Sequence, residues 1–128
     1  MTRSPWQRVG RLLVTKAAVS GPAGVHVVRL LVATGSVDTI LPVDVLASIG
    51  CSPASSHEHV RIITGSGYLI VPKVQVVWLQ CLGQKVDRMA IVAHTLPIGS
   101  LVDGLLGMDF LEPLGAKLLI TERVIEIP

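Results

Sequence analysis

Two segments of the chain, about seventy residues apart, hold the hydroxyl, acidic and glycine residues that could form a site in tight loops. Residues 30–36 read LLVATGS, so three apolar residues lead into a turn with two hydroxyl side chains and a glycine. Residues 102–111 read VDGLLGMDFL, in which an apolar pair leads into another glycine. Between them, residues 64–67 (TGSG) separate two apolar runs, which predicts a β-hairpin with a glycine-rich tip. Neither segment alone identifies a chemistry, because many turns contain such residues, so their order and spacing have to be considered together.

The elements that must position these loops are strands. Turn-forming residues recur about every ten residues, the spacing of an all-β sandwich or barrel. One or two helical turns are predicted at 43–49, between Pro42 and Gly50. Near the C-terminus, Asp109 and Glu112 match a capping box with Asp109 as the N-cap, which predicts a short helix. The predicted strands are 11–19, 25–32, 60–63, 68–71, 74–82, 85–92, 116–120 and 123–127.

The composition fits a single folded β domain. Hydrophobic residues make up 50% of the chain and charged residues only 16%, which argues against disorder. Aromatic residues are 3%, so the core must consist of Val, Leu and Ile, and this bias favours strands. We expect residues 1–128 to form one domain, with residues 1–10 as an N-terminal arm.

The order and spacing of the motifs resemble those of retropepsin-like aspartic proteases of the bacterial type. Residues 30–36 resemble the family's hydrophobic-hydrophobic-Asp-Thr-Gly-Ser loop, with Ala33 in place of the aspartate. Residues 102–111 resemble the hydrophobic-hydrophobic-Gly element that precedes the C-terminal helix. The resemblance covers residues 11–127 and implies an all-β, closed, barrel-like fold with one short C-terminal helix.

In this family the chemistry depends on two carboxylates within hydrogen-bonding distance that share one proton. The ionised member takes a proton from water, and the protonated member polarises the scissile carbonyl. The chain has one copy of the loop, so the resemblance implies a homodimer in which each protomer supplies one. Ala33 would then remove both acids, and we expect a chain that folds but does not cleave. No cofactor is expected.

The resemblance also assigns roles to the loop and the hairpin. Ala33 marks the position of the catalytic aspartate, Thr34 would cross-link the two loops of the dimer, and Gly35 would permit the tight turn. Residues 63–68 would form a mobile flap over an extended peptide. The expected substrate-binding residues are Ser36, Ile63, Thr64, Gly65, Ser66, Gly67 and Tyr68.

Three alternatives stay open. Ala33 is either an introduced inactivating substitution or the natural residue of an inactive homologue. The chain is alternatively a peptide-binding or dimerisation module that uses the same groove without chemistry. It is otherwise an unrelated small β-barrel with an interaction role.

Other polar residues have simpler interpretations. Asp38 is expected to face solvent, and Asp103 to lie in a turn. His57 and His59 are two apart in a serine-rich loop without a third ligand, so no metal site is predicted. His26 and His94 have no serine or cysteine beside them as a nucleophile pair.

Charge and cysteine usage restrict the partners and the compartment. The net charge is +2, and the basic residues form no stripe with interleaved aromatics, so nucleic-acid binding is not predicted. No apolar run is long enough to span a bilayer, although an anchor outside this sequence stays possible. Cys51 and Cys81 match neither a metal site nor a redox pair, and we expect a reducing, cytoplasmic location.

Overall fold

The computed structural model describes residues 1–97 and 99–128, which are mostly β-strand. The strands are β1 (Thr2–Pro5), β2 (Gln7–Val9), β3 (Leu12–Gly21), β4 (Gly24–Val32), β5 (Ile40–Leu41), β6 (Glu58–Thr64), β7 (Gly67–Gln75), β8 (Trp78–Cys81), β9 (Gln84–Asp87), β10 (Ala90–Ala93), β11 (Gly104–Leu106), β12 (Lys117–Leu119) and β13 (Val124–Ile127). The helices are α1 (Val43–Ser48) and α2 (Met108–Leu111), and Pro53–Ser55 forms a 3₁₀ turn.

Most strands belong to one curled sheet. Its order is β6-β7-β10-β5-β11-β4-β3-β8-β9, with β2 beside β3. The pairs β11–β4 and β10–β5 are parallel, and the other pairs of this sheet are antiparallel. A second sheet has the order β1-β13-β12. This architecture confirms the predicted all-β, barrel-like fold with a short helix near the C-terminus.

The core lies inside the curl, and strand alternation explains which side chains fill it. In the β3–β4 ladder Ala17 pairs with Val28, and both are buried, whereas the next pair, Ala18 with Val27, faces outward. Leu46 of α1 and Phe110 of α2 close the core and are almost fully buried. Because aromatic residues are scarce, the rest of the core consists mainly of β-branched and leucine side chains.

The two predicted strands 74–82 and 85–92 are each divided in two. The hairpin bends where Val76 N–H donates to Met89 O at 3.0 Å and Arg88 N–H donates to Val77 O at 2.9 Å. As a result the inner half of the hairpin consists of the end of β7 and of β10. Its outer half consists of β8 and β9, which lie at the opposite end of the sheet order. The bend therefore brings the two ends of the curled sheet together, which a continuous straight hairpin would not do.

The two helices agree only in part with their predicted signals. Helix α1 follows Pro42, and Gly50 after it has a positive φ of 86°, as the sequence predicts. The prediction of a capping box with Asp109 as the N-cap is wrong, because α2 begins after Gly107 and has no side-chain cap. The carboxylate of Asp109 instead accepts hydrogen bonds from Thr39, 70 residues away.

Residues 1–10, for which the sequence predicts an arm, form β1 and β2 in this structure. Strand β1 pairs with β13, and Arg3 Nε lies 3.0 Å from a carboxylate oxygen of Glu126. Trp6, between the two strands, is buried. Within the described residues, no helix has the length and apolarity that a membrane crossing requires.

Candidate active site

The two loop segments singled out in the sequence meet at the end of β4. Strand β11 lies parallel to β4, with Leu106 opposite Val32. One residue further on, Ala33 N–H donates to Leu106 O at 2.9 Å. Ser36 N–H donates to Ala33 O at 3.1 Å and closes the turn. Residue 33 is therefore held by the backbone of both segments.

Gly107 allows the second segment to pass against the first. Met108 N–H donates to Ser36 O at 2.8 Å, so the start of α2 lies on the turn. A Cβ atom at Gly107 would stand 2.5 Å from the carbonyl carbon and oxygen of Asp38. No side chain fits at that distance, so the contact requires glycine.

Gly35 does not have the conformational role predicted for it. Its φ lies outside the left-handed region, and a Cβ atom there would have no neighbour within 4 Å. The turn itself is therefore open to other residues in this chain. The Ser36 hydroxyl, in contrast, donates to Asp38 O at 2.7 Å and stabilises the loop beyond the turn.

A buried hydrogen-bond cluster ties the loop to α2. The Thr39 hydroxyl donates to Asp109 Oδ1 at 2.7 Å and accepts from Gly107 N–H at 3.1 Å, while Thr39 N–H donates to Asp109 Oδ2 at 3.0 Å. Burial raises the pKa of the Asp109 carboxyl, and the charge of Asp38 acts in the same direction. The hydrogen bonds from Thr39 and from the Phe110 backbone oppose that rise.

The prediction that Asp38 faces solvent is wrong. Its carboxylate oxygen lies 3.3 Å from Lys73 Nζ, and about a fifth of each side chain is exposed. Lys73 belongs to β7, so the ion pair links the loop after residue 33 to the β6–β7 hairpin. The two residues are 35 apart in sequence, and only the folded sheet brings them together.

Between the loop and the flap strand lies a cleft of ≈ 410 Å³. Ala33, Gly35 and Ser36 line it from the loop, and Ile63 lines it from β6. The remaining lining residues are Leu31, Val37, Asp38, Ile40, Arg61, Ile62 and Leu105. The cleft is mainly apolar, and among the described residues that line it the only carboxylate is that of Asp38.

The predicted flap is the end of the β6–β7 hairpin, where Thr64 pairs with Gly67. Gly67 has a φ of 136°, a conformation that favours glycine. The Thr64 hydroxyl lies 3.5 Å from Ser66 Oγ and 3.4 Å from Gly67 O. Ile63 borders the cleft and is 87% exposed, so its side chain stays open to solvent.

Not every predicted site residue borders the cleft. Thr34 lies instead beside a second groove, formed with Met108 and Leu111 of α2. Tyr68 is opposite Ile63 in the hairpin, and the guanidinium of Arg61 lies 5.2 Å from its ring centre. Arg61 itself lines the cleft and was not predicted. Its alternation with Ile63 along β6 is a signal that would have found it.

The metal and thiol candidates outside the cleft have simpler explanations in the part of the chain that the structure describes. Among the described residues, no three His, Cys, Asp or Glu side chains are arranged to hold a metal ion. Cys51 and Cys81 are both buried free thiols. Burial raises the pKa of Cys81 to about 11 and also raises that of Cys51, so neither thiol has the character of a nucleophile.

Comparison with known proteins agrees with this geometry. The sequence profile of the aspartyl protease family matches residues 15–110, about three quarters of the chain. Among solved structures, the fold is similar to that of a retropepsin-like aspartic protease from Rickettsia conorii, with a TM-score of 0.66 at 18% identity. That match covers 96% of this chain and 86% of the other. Among curated protein sequences, none is similar enough to match.

The family profile spans the structural parts of the cleft. It begins on β3, includes the loop with Ala33 and the β6–β7 hairpin, and ends at Phe110 in α2. The fold comparison agrees over nearly the whole chain. The chain therefore belongs to the aspartyl protease family.

Proposed function

We propose that this chain is the protomer of a homodimeric aspartic endopeptidase in a form that lacks its catalytic acid. It binds extended peptides in the cleft but does not cleave them. The observation that carries the proposal is Ala33, which lies on the floor of the cleft at the point where the two loop segments meet. A methyl group there takes no proton from water.

The chemistry requires a pair of carboxylates. Two such groups a hydrogen bond apart do not both ionise, so they share one proton, and aspartic proteases are a familiar example. The ionised carboxylate activates water, and the protonated one donates to the carbonyl oxygen of the peptide. In the active form residue 33 of each protomer supplies one acid. Ala33 thus removes both acids of the dimer in a single substitution.

The nearby aspartates do not replace the missing acid. The carboxylate of Asp38 is engaged in the ion pair with Lys73, whose ammonium nitrogen lies 3.3 Å away. Asp109 is partly buried and accepts two hydrogen bonds from Thr39. Both carboxylates are thus already engaged within the chain, Asp38 by a cation and Asp109 by hydrogen-bond donors.

The assignment of a dimer is supported by exposure around the loop. Thr34 and Gly35 are exposed at the turn, and the adjacent Val37 is 77% exposed. Exposed apolar side chains next to polar loop groups are typical of surfaces that a partner covers. A twofold axis beside Thr34 would cover these residues and bring two copies of position 33 together.

Peptide binding is expected of the chain as it stands. The cleft is lined mainly by aliphatic side chains, with Arg61 and Asp38 as its charged members. The exposed flap residues Ile63 and Tyr68 are placed to contact an extended substrate from above, and the flap backbone is placed to pair with it. This is also what a natural peptide-binding homologue would do, so binding alone does not separate the two alternatives.

Restoring the acid tests the proposal and separates those alternatives. Ala33→Asp should cleave extended apolar peptides at acidic to neutral pH, and a hydroxyl-bearing peptide mimic should inhibit it. Ala33→Asn is the matched control, because it has nearly the same shape but no ionisable group, and it should stay inactive. A folded, dimeric Ala33→Asp chain that cleaves nothing in a broad peptide library would instead identify a natural module without catalysis.

We also propose a reducing compartment such as the cytoplasm. The two thiols, Cys51 and Cys81, are free and buried rather than paired. Mass spectrometry of the protein isolated without reductant should find both thiols reduced. A disulfide between residues 51 and 81 in that material would contradict this location.

A further inference from the structure

The first half of β4 has an edge that no other strand covers. Strand β3 pairs with β4 from Gly24 to Leu31, whereas β11 pairs only with residues 30–32. In the described part of the chain, nothing pairs with β4 on the β11 side before Arg29. An uncovered strand edge is a template for a further strand.

The direction of the free backbone groups follows from Arg29. Its N–H donates to Asp103 Oδ2 at 2.8 Å, and its carbonyl accepts from Asp103 N–H at 2.8 Å, so both groups point to the β11 side. In an antiparallel ladder every second residue points its N–H and C=O the same way. Val25 and Val27 therefore direct their backbone groups toward the free edge, while His26 and Val28 bond to β3.

The side chains beside this edge are apolar and exposed. Val25 is 58% exposed and Val27 is 63% exposed. Both lie on the outer face of the sheet, where Val27, Ala18 and Gln80 border a shallow groove of ≈ 290 Å³. Soluble chains usually place charge or proline on such an edge to block pairing, and residues 24–28 (GVHVV) contain neither lysine nor proline.

Two cations stand next to the exposed valines on the same face. Lys16 and Arg29 are directly opposite each other in the β3–β4 ladder, and both are exposed. Like charges in this position destabilise a sheet. Among the described residues, the ion pairs involve only Arg3 and Lys73 as cations, so neither the Lys16 ammonium nor the Arg29 guanidinium has a carboxylate oxygen within 4.0 Å. The Asp103 carboxylate beside Arg29 bonds to the backbone N–H instead.

We propose that this edge binds an extended acidic segment of a partner protein, which adds to the sheet beside Val25 and Val27. Main-chain hydrogen bonds to the two valines supply the pairing, and Asp103 ends the free edge at Arg29. An apolar residue of the segment packs beside Val27. A glutamate or aspartate at the next position on the same face lies where the paired stretch ends, and its side chain extends over β4 toward the Lys16–Arg29 pair.

The site is separate from the cleft. Val27 is six residues from Ala33 along β4, a distance of about 20 Å in a strand. A segment bound at this edge does not contact the loop or the flap. The inference is therefore independent of whether the chain cleaves peptides, and its test uses no activity measurement.

The test uses the whole chain and a labelled peptide of about eight residues that alternates valine and glutamate, a length typical of a strand. Without peptide, the Val25 and Val27 amides should exchange rapidly with deuterated solvent. With peptide they should be protected at least about tenfold, while the exchange of the flap amides stays unchanged. A peptide that alternates valine and lysine should bind far more weakly.

Matched variants locate the binding. Arg29→Glu should raise the dissociation constant about tenfold or more. Lys117→Glu makes the same charge change on β12 and should leave the dissociation constant unchanged. Val27→Pro removes one outward N–H and should abolish binding. Should Val27→Pro fail to fold by circular dichroism, Val27→Lys keeps the backbone N–H and places a blocking charge on the edge.

Three results would overturn the proposal. The first is an acidic peptide that gives no protection at Val25 and Val27, or that protects the flap instead. The second is binding that Val27→Pro or Val27→Lys leaves unchanged. The third is protection of the edge without peptide that grows with protein concentration, since a second copy of the chain would then be the occupant.

Discussion

The tripeptide Thr-Gly-Ser occurs twice in the chain, and its two copies are held in different ways. At 34–36 it is tied to a distant segment, because Ser36 O accepts from Met108 N–H and the Ala33 amide donates to Leu106 O. At 64–66 the bonds stay within the hairpin, between Thr64 and residues 66 and 67. The same three residues are thus bonded to a distant segment in one copy, whereas in the other they form a hairpin tip with local hydrogen bonds only. The crossing segment, rather than the tripeptide, determines the rigidity of the loop.

A methyl group added at Gly107, where the second segment crosses the loop, should have the largest effect on stability. Gly107→Ala places a Cβ atom 2.5 Å from the Asp38 backbone, and we expect a loss of about 3 kcal/mol or more in the free energy of unfolding. Gly65→Ala, in the other copy, meets nothing within 4 Å and should change it by less than about 0.5 kcal/mol. Urea unfolding of both variants makes the comparison. Equal losses would show that the crossing is not what holds the loop.

Removal of one buried hydroxyl should have the next largest effect. Thr39→Val keeps the shape but removes the hydroxyl that bonds to Gly107 N–H and to Asp109 Oδ1, which should cost about 2 kcal/mol of stability. Thr64→Val removes only a long hydrogen bond at the flap tip and should cost less than about 0.5 kcal/mol. The shift in urea midpoint measures both. A smaller loss for Thr39→Val than for Thr64→Val would contradict the difference between the two copies.

The raised pKa of Asp109 predicts that the free energy of unfolding depends on pH through the hydrogen-bond cluster of Thr39 and Asp109. Between the ordinary carboxyl pKa, about 4, and the raised value, the folded chain binds more protons than the unfolded one. The contribution of Asp109 to stability is therefore complete at low pH and declines as pH rises through that window. Asp109→Asn should lack this decline. Unfolding curves of the two proteins that stay parallel across this window would argue against a raised pKa.

Gly35→Ala should have the smallest effect on the single chain. A Cβ atom there meets no neighbour within 4 Å, so the free energy of unfolding at low concentration should change by less than about 0.5 kcal/mol. The proposed dimer brings the two turns together, and the added methyl group should then weaken self-association. Sedimentation equilibrium measures that change. Association that is unaffected would place the dimer contact elsewhere.

Much of the fold follows from local pattern. The apolar runs of β3 and β4 and the glycine-rich tip at 64–67 predict strands and a hairpin without knowledge of their partners. The bends at 76–77 and 88–89 do not follow, because they arise only when the two ends of the sheet meet. Asp109 shows how a local motif fails, since its carboxylate bonds to Thr39 rather than to its own helix.

The candidate site divides in the same way. Ala33, Ser36 and Ile63 border the cleft and were identified by motif, whereas the Asp38–Lys73 pair joins residues 35 apart and has no local signal. The position of Thr34 beside α2 was not expected either. Motif spacing thus predicted the turn at 34–36 and the hairpin at 64–67, but the contacts between them depend on the curled sheet.

The central claim is that two chains each contribute one acid at residue 33. Its most direct test mixes Ala33→Asp with the unsubstituted chain at a fixed total concentration, after exchange of subunits, and measures peptide cleavage. Because a mixed dimer has only one carboxylate, activity should fall as the square of the Asp-containing fraction. A linear fall would mean that each chain holds a complete site, and it would contradict the account.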